Sequence, residues 1–118
     1  MSKTHSTIKS FGYAFDGIKE ALTNEPNFRV HSAIAFSAVL LGLILRLESY
    51  EWIILAFTIA FVLILELVNT SLEAIVDIVS PQIAAKAKVA KDVIAAAVLI
   101  SAILAIIIGL FLFLPKIL

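Results

Sequence analysis

The stretch WIILAFTIAFVLILELVNTSLEAIVDIV, residues 52–79, decides the fold. Its first half, 52–65, carries no charged residue. The second half keeps the helical pattern but places Glu66, Asn69, Glu73 and Asp77 at i, i+3, i+7 and i+11. With 3.6 residues per turn these four share one face, and Thr70 lies beside it. At about 1.5 Å per residue, roughly 20 residues cross the hydrocarbon of a bilayer. A helix over 50–79 is longer than that. Its acidic half must leave the hydrocarbon or line a polar site.

Two more apolar blocks flank it. Residues 30–47 are apolar apart from His31, Ser32, Ser37 and Arg46, and 93–114 apart from Ser101. Each fits one crossing. The first 25 residues have no continuous apolar core and no small-residue cleavage site, so they do not read as a signal peptide. Instead Ile8, Phe11, Phe15, Ile18 and Leu22 recur every three or four residues, with Lys9, Asp16, Lys19 and Glu20 on other faces. That pattern predicts an amphipathic helix over 1–25 lying in the membrane interface. The run 23–27, with Pro26, breaks it.

Composition agrees. The 118 residues are 62% hydrophobic, with a mean hydropathy of +1.10, against roughly 45–50% apolar in soluble domains. An ordinary cytosolic globule, a disordered chain and a nucleic-acid binder are excluded. Nine Lys and Arg balance nine Asp and Glu, so no net field attracts polyanions. The absence of cysteine removes disulfides, thiolate catalysis and thiolate metal sites. Phosphate-binding glycine loops of the soluble nucleotide folds are also missing. The expected fold is a single all-α integral membrane domain over 1–118, with a surface helix (1–25) and three transmembrane helices (30–47, 50–79, 93–114).

Orientation follows from the basic residues. Lys3, Lys9, Lys19 and Arg29 in the arm, and Lys86, Lys88 and Lys91 in the connection 78–92, lie on one side of such a topology. Only Arg46 and Lys116 lie on the other. The positive-inside rule places the arm and that connection in the cytoplasm. The short turn 48–51 then faces outward, with Trp52 as interface anchor and Arg46, Glu48 and Glu51 as solvated charges.

A carboxylate at mid-bilayer costs about 2.5–3.5 kcal/mol on insertion scales, so intramembrane ionisable groups are functional candidates by default. The plainer reading is a polar stripe that fixes helix packing. Three like charges on one stripe repel, so that role needs cations nearby, from metal ions or from Lys91 and Arg29. Glu25 and Asp92 are expected at the same depth. Oxygen ligands without His or Cys suit a hard cation such as Mg²⁺, which takes one or two carboxylates plus substrate phosphates. Lys91 is a natural phosphate partner, and Glu66 is placed to take a proton from a lipid alcohol. This describes phosphoryl transfer from a nucleotide to a lipid at the inner membrane surface.

ELVNTSLEAIVD (66–77) resembles the signature E-x-x-N-[ST]-x-x-E-x-x-x-D of the small prokaryotic diacylglycerol kinase family. NEPNFRVH (24–31) is similar to its N-E-x-x-F-R segment, and AKVAKD (87–92) to its A-K-D segment. The resemblance implies a homotrimer of three-helix subunits with a surface helix. It also implies ATP- and Mg²⁺-dependent phosphorylation of a lipid hydroxyl. On matching positions, Glu66 is similar to the proton acceptor and Glu25 and Glu73 to metal-coordinating carboxylates at the nucleotide. Asn69 matches a supporting polar residue, Lys91 and Asp92 nucleotide contacts, and Tyr13 an aromatic nucleotide contact on the surface helix. Lys9, Arg29 and Asp77 are second-rank members.

Two departures stand out. Val93, Ile94, Ala95 and Ala96 follow Asp92 where the Gram-negative diacylglycerol kinases have a Gly-Ser pair. With NFRVH and a C-terminal FLPK, this is more like the undecaprenol kinases of Gram-positive bacteria. The loop 80–84 lacks the histidine often found there in the family.

The expectation is a bacterial inner-membrane lipid kinase that uses ATP and Mg²⁺ to make undecaprenyl phosphate. The alternative within the class is a diacylglycerol kinase making phosphatidic acid. A small proton-coupled transporter subunit, with Glu66 as carrier, is disfavoured because the acids cluster at one membrane face. A purely structural membrane protein is the third reading. Three crossings cannot enclose a site, so the active site is expected to be shared between subunits. Tyr13 also fits a plain interfacial anchor, and His31 an interfacial hydrogen-bonded histidine.

Overall fold

The computed structural model describes residues 3–80, 82 and 84–118, with side chains from Ser6 onward. Pro81 and Ile83, in the loop lacking the family histidine, lie outside the described residues. Four α-helices follow one another: α1 (Lys3–Asn24), α2 (Pro26–Leu45), α3 (Ser49–Val79) and α4 (Ala85–Ile117). The last three are long and apolar enough to cross a membrane.

The α1–α2 corner turns on one residue. Glu25 is extended (φ −113°, ψ 100°), and Pro26 opens α2, where its missing N–H costs nothing. Arg29 ties the corner. Its guanidinium donates to the carbonyls of Leu22 (3.1 Å) and Thr23 (2.8 Å), which the end of α1 leaves without helical partners. Ala21 and Phe28 are buried there, at 0% and 4% exposure.

At the other end, α2 stops where Arg46 enters the left-handed region (φ 56°, ψ 63°). The backbone N–H groups of Arg46 and Leu47 both reach the Gly42 carbonyl. A Cβ on Gly42 would stand 2.9 Å from Leu47 Cδ1 and 2.9 Å from Trp52 Cη2. Glycine is what lets the α2–α3 turn fold back this tightly.

Helices α3 and α4 pack along one another, α2 lies against both, and α1 touches α2 and α3. The longest dimension, 51 Å, matches the roughly 50 Å expected of a helix of 33 residues such as α4. The apolar core sits at the α2–α3 turn, where Leu47, Leu55 and Leu112 meet beside Trp52 and Phe113.

Two expectations need correction. Glu51 is not a solvated turn charge. It is 7% exposed, accepts the Glu48 backbone N–H (3.0 Å) and pairs with Lys116 Nζ at 3.0 Å. The cause is the reach of α4, whose last turn comes alongside the α2–α3 turn. Likewise, Lys86, Lys88 and Lys91 are not in an extended connection over 78–92. They occupy the first two turns of α4, because the stretch 85–97 is rich in alanine and lysine and holds no proline or glycine to stop a helix.

The chain hides little of its own apolar surface. Of the most apolar 18-residue window in each long helix, 11%, 17% and 17% is buried in α2, α3 and α4. The remainder must face lipid or another protein. On α1, Ile8, Phe11 and Phe15 are likewise exposed.

Gly42→Val is expected to destabilise the protein by about 1–3 kcal/mol through overpacking against Leu47 and Trp52. Arg46→Gly should act oppositely, relieving about 1 kcal/mol of left-handed backbone strain. Thermal unfolding in detergent micelles checks both signs.

Candidate active site

The polar stripe of α3 is helical throughout, so Glu66, Asn69, Glu73 and Asp77 share a face in the structure. Its members sit in different surroundings. Glu66 is 2% exposed, Asn69 and Glu73 are half-buried, and Asp77 is exposed. Glu66 is held inside by the neighbouring helices, while Asp77 lies in the last turn before the α3–α4 connection.

His31, in the second turn of α2, faces Glu66. Its Nε2 lies 3.2 Å from Glu66 Oε1. The approach is off the hydrogen-bonding line, and Glu66 Oε1 has no hydrogen-bond partner among the described residues. Asn69 Oδ1 is a second buried oxygen without a partner. Thr70 turns its hydroxyl to the backbone carbonyl of Glu66 at 3.0 Å, so it does not serve the carboxylate. Buried, unsatisfied acceptors are rare in folded proteins and need an explanation. These two acceptors, one helical turn apart on one face of α3, are left free to take a donor or cation from outside the chain.

Around this pair the charges gather from three elements. The side chains of His31, Glu25 and Glu73 all lie near Glu66. Glu73 in turn is close enough to act on Lys91. Lys91 Nζ is 2.7 Å from Asp77 Oδ1, which ties the start of α4 to the end of α3. Glu25, His31, Glu66, Asn69, Glu73, Asp77 and Lys91 thus form one continuous polar region at the α1 end of the bundle. The other residues singled out from the sequence stand apart in the single chain. Asp92 is paired with Lys88 at 2.6 Å on the exposed face of α4. Arg29 is engaged by the end of α1. Tyr13 and Lys9 are exposed on α1, and no ion pair or hydrogen bond joins them to the cluster among the described residues.

The donors present suit Mg²⁺ in one particular way. No group of three or more His, Cys, Asp or Glu is gathered as a closed metal cage among the described residues. Glu25, Glu73 and the spare Asn69 oxygen are the oxygen donors near Glu66 that could hold Mg²⁺, which typically completes its shell with substrate phosphates.

From His31 a groove of about 420 Å³ runs between α2, α3 and α4 toward the α2–α3 turn. Ala35, Leu41, Leu55, Val62 and Phe113 are among its walls. The hydroxyls of Ser37 and Thr58, which also line it, are returned to their own helices, at the carbonyls of Ala33 and Ile54. Apart from His31 the groove therefore offers apolar contact only, and its polar end is the end nearest Glu66.

Sequence reasoning placed His31 at the interface and missed its approach to Glu66. A signal was there: His31 and Glu66 are the ionisable groups set into the apolar blocks at the same end of two neighbouring helices.

The sequence profile described as prokaryotic diacylglycerol kinase matches residues 12–113. Undecaprenol kinase of Bacillus subtilis (strain 168) is 40% identical over 109 residues, covering 92% of this chain and 89% of the relative. A diacylglycerol kinase of Synechocystis is 42% identical over 112 residues, covering 94% of this chain and 64% of that longer protein. The diacylglycerol kinase of Escherichia coli (strain K12) is 33% identical over 100 residues, 85% of this chain and 82% of the relative. The match runs from the surface helix to the last turns of α4, and it takes in the whole polar region around Glu66. The chain belongs to the prokaryotic diacylglycerol kinase family and is a membrane-spanning lipid kinase.

Proposed function

We propose that this lipid kinase transfers the γ-phosphoryl group of ATP to undecaprenol, with Glu66 as the proton acceptor. The observation that carries the reading is the placement of Glu66. A buried carboxylate oxygen with no hydrogen-bond partner among the described residues stands beside the polar end of an apolar groove. A lipid alcohol fits that shape, with its chain in the groove and its hydroxyl at Glu66. Undecaprenol is favoured as acceptor by the alanine-rich start of α4 after Asp92 and by the likeness to the B. subtilis enzyme. The likeness to the Synechocystis diacylglycerol kinase supports diacylglycerol as the second reading.

The remaining roles follow from charge. Phosphoryl transfer needs placement and charge neutralisation more than covalent help. Glu25 and Glu73 would hold Mg²⁺, supported by Asn69, and the ion would offset charge on the phosphate oxygens. Lys91 would contact the same phosphates. To do so it must leave Asp77, so Asp77 holds Lys91 in reserve near the site. Asp92 and Tyr13 complete the nucleotide contacts. Arg29 acts by fixing the α1–α2 corner that carries Glu25, and Lys9 is left with a secondary part.

Seven of the nine basic residues lie at the α1 end, which supports a cytoplasmic site in the bacterial inner membrane. The small share of each span buried within one chain supports a homotrimer in which Tyr13, Lys9 and Asp92 reach the site of a neighbour.

In mixed micelles with labelled ATP and Mg²⁺, label is expected in undecaprenyl phosphate in preference to phosphatidic acid. Glu66→Gln should lower turnover by about 10²–10⁴-fold, the usual worth of a general base. Near-normal turnover in that variant removes the assignment. Preference for diacylglycerol selects the second reading. Mixing Glu73→Gln and Asp92→Asn subunits is expected to restore part of the activity lost in each alone, because an Asp92→Asn subunit keeps its own Glu73 and can receive Asp92 from its neighbour. No recovery in verified mixed oligomers counts against a shared site.

A further inference from the structure

We propose that His31 is the group through which Glu66 gives up the proton it takes from the lipid alcohol. This rests on the reading above, in which Glu66 accepts that proton. In each turnover the alcohol O–H bond breaks and its proton passes to Glu66. The oxygen's electron pair forms the new bond to the γ-phosphorus. The bond between that phosphorus and the β–γ bridging oxygen breaks, and its electrons leave with ADP. Glu66 is then a neutral acid and must become a carboxylate again before the next alcohol arrives.

Among the described residues its surroundings leave one route. Glu66 is 2% exposed, so it exchanges poorly with bulk water, whereas the His31 side chain is 23% exposed. His31 Nε2, 3.2 Å from Glu66 Oε1, is the basic atom in contact with the carboxyl group. An imidazole ring can accept a proton at one nitrogen and release one from the other, which suits it to relay a proton. The other polar neighbours do not serve. The Asn69 amide carries no exchangeable basic site, and the Thr70 hydroxyl is committed to the backbone carbonyl of Glu66. Glu25 and Glu73, whose charges also reach Glu66, are the carboxylates assigned to the cation. From α4 the groove beside His31 receives only apolar side chains and Gly109. The proton therefore moves from the alcohol oxygen to Glu66, from Glu66 to His31 Nε2, and from the His31 ring to water. His31 thus occupies the junction of three things: the lipid groove, the buried acid and the exposed edge of the site.

The test uses the purified full-length protein in mixed micelles with a lipid alcohol, ATP and Mg²⁺. His31→Gln keeps an N–H donor in place but cannot carry a proton. It is expected to lower kcat tenfold or more, a modest share of the ~10²–10⁴-fold that acid–base groups contribute, with the KM for ATP unchanged within about twofold. In His31→Ala, added imidazole should restore kcat in proportion to its concentration, which a merely structural role would not allow. In the unaltered protein, ethoxyformylation of His31, mapped by mass spectrometry apart from His5, should stop transfer, and hydroxylamine should restore it. That measurement does not depend on a variant folding. Unaltered kcat in His31→Gln, a folded His31→Ala that imidazole does not rescue, or transfer that survives complete modification of His31 overturns the proposal and leaves the kinase reading standing. No transfer by the unaltered protein to any lipid alcohol overturns both.

Discussion

A single carboxylate set into an apolar bundle organises this molecule. Glu66 lies one helical turn from Asn69 on a span that is otherwise uncharged from its start to that point, apart from Glu51 in its first turn. Burying an ionisable group is costly unless something compensates it. Here His31 from α2 is the compensating neighbour, whereas Glu25 at the corner and Glu73 two turns further along α3 carry like charge and call for a cation. The placement of α2 against α3 brings these groups together. The one-residue break at Glu25 does the same for the α1–α2 corner. The fold reads as a device for holding a few oxygens at the edge of an apolar groove.

The two ends of the bundle divide the labour. At the α2–α3 turn the helices are closed by a small apolar core, by the close approach at Gly42 and by the Glu51–Lys116 pair. At the α1 end they are open and polar, with Lys91 held by Asp77 and Lys88 by Asp92. A rigid far end and an open near end suit a kinase that must admit a nucleotide from one side and a lipid from the other. Exposed surface ion pairs are individually weak, so the Lys91–Asp77 pair is only lightly held.

Much of this was legible in the sequence, because membrane-spanning helices obey simple rules of length and hydropathy. The i, i+3, i+7, i+11 spacing of Glu66, Asn69, Glu73 and Asp77 fixes a common face whatever the tertiary structure. Pro26 after Glu25 similarly announces the corner. What was not legible depended on how far one helix reaches past another. Glu51 looked like a turn residue, because nothing local says that the last turn of α4 will bring Lys116 beside it. Lys86, Lys88 and Lys91 looked like loop residues, because hydropathy marks where a helix enters the membrane and not where it begins. The His31–Glu66 contact links residues 35 positions apart, and only the packing of α2 on α3 reveals it.

Central to the proposed mechanism is the delivery of the lipid hydroxyl to Glu66 along the groove between α2, α3 and α4. Photocrosslinking with a polyprenol carrying a diazirine near its hydroxyl end, followed by peptide mapping, measures this. Labels are expected on groove residues at the His31 end, such as Ala35 and Val62, and should be displaced by unlabelled acceptor. Labelling confined to the exposed faces, at Phe57 or Phe111 for instance, with none in the groove, would contradict it.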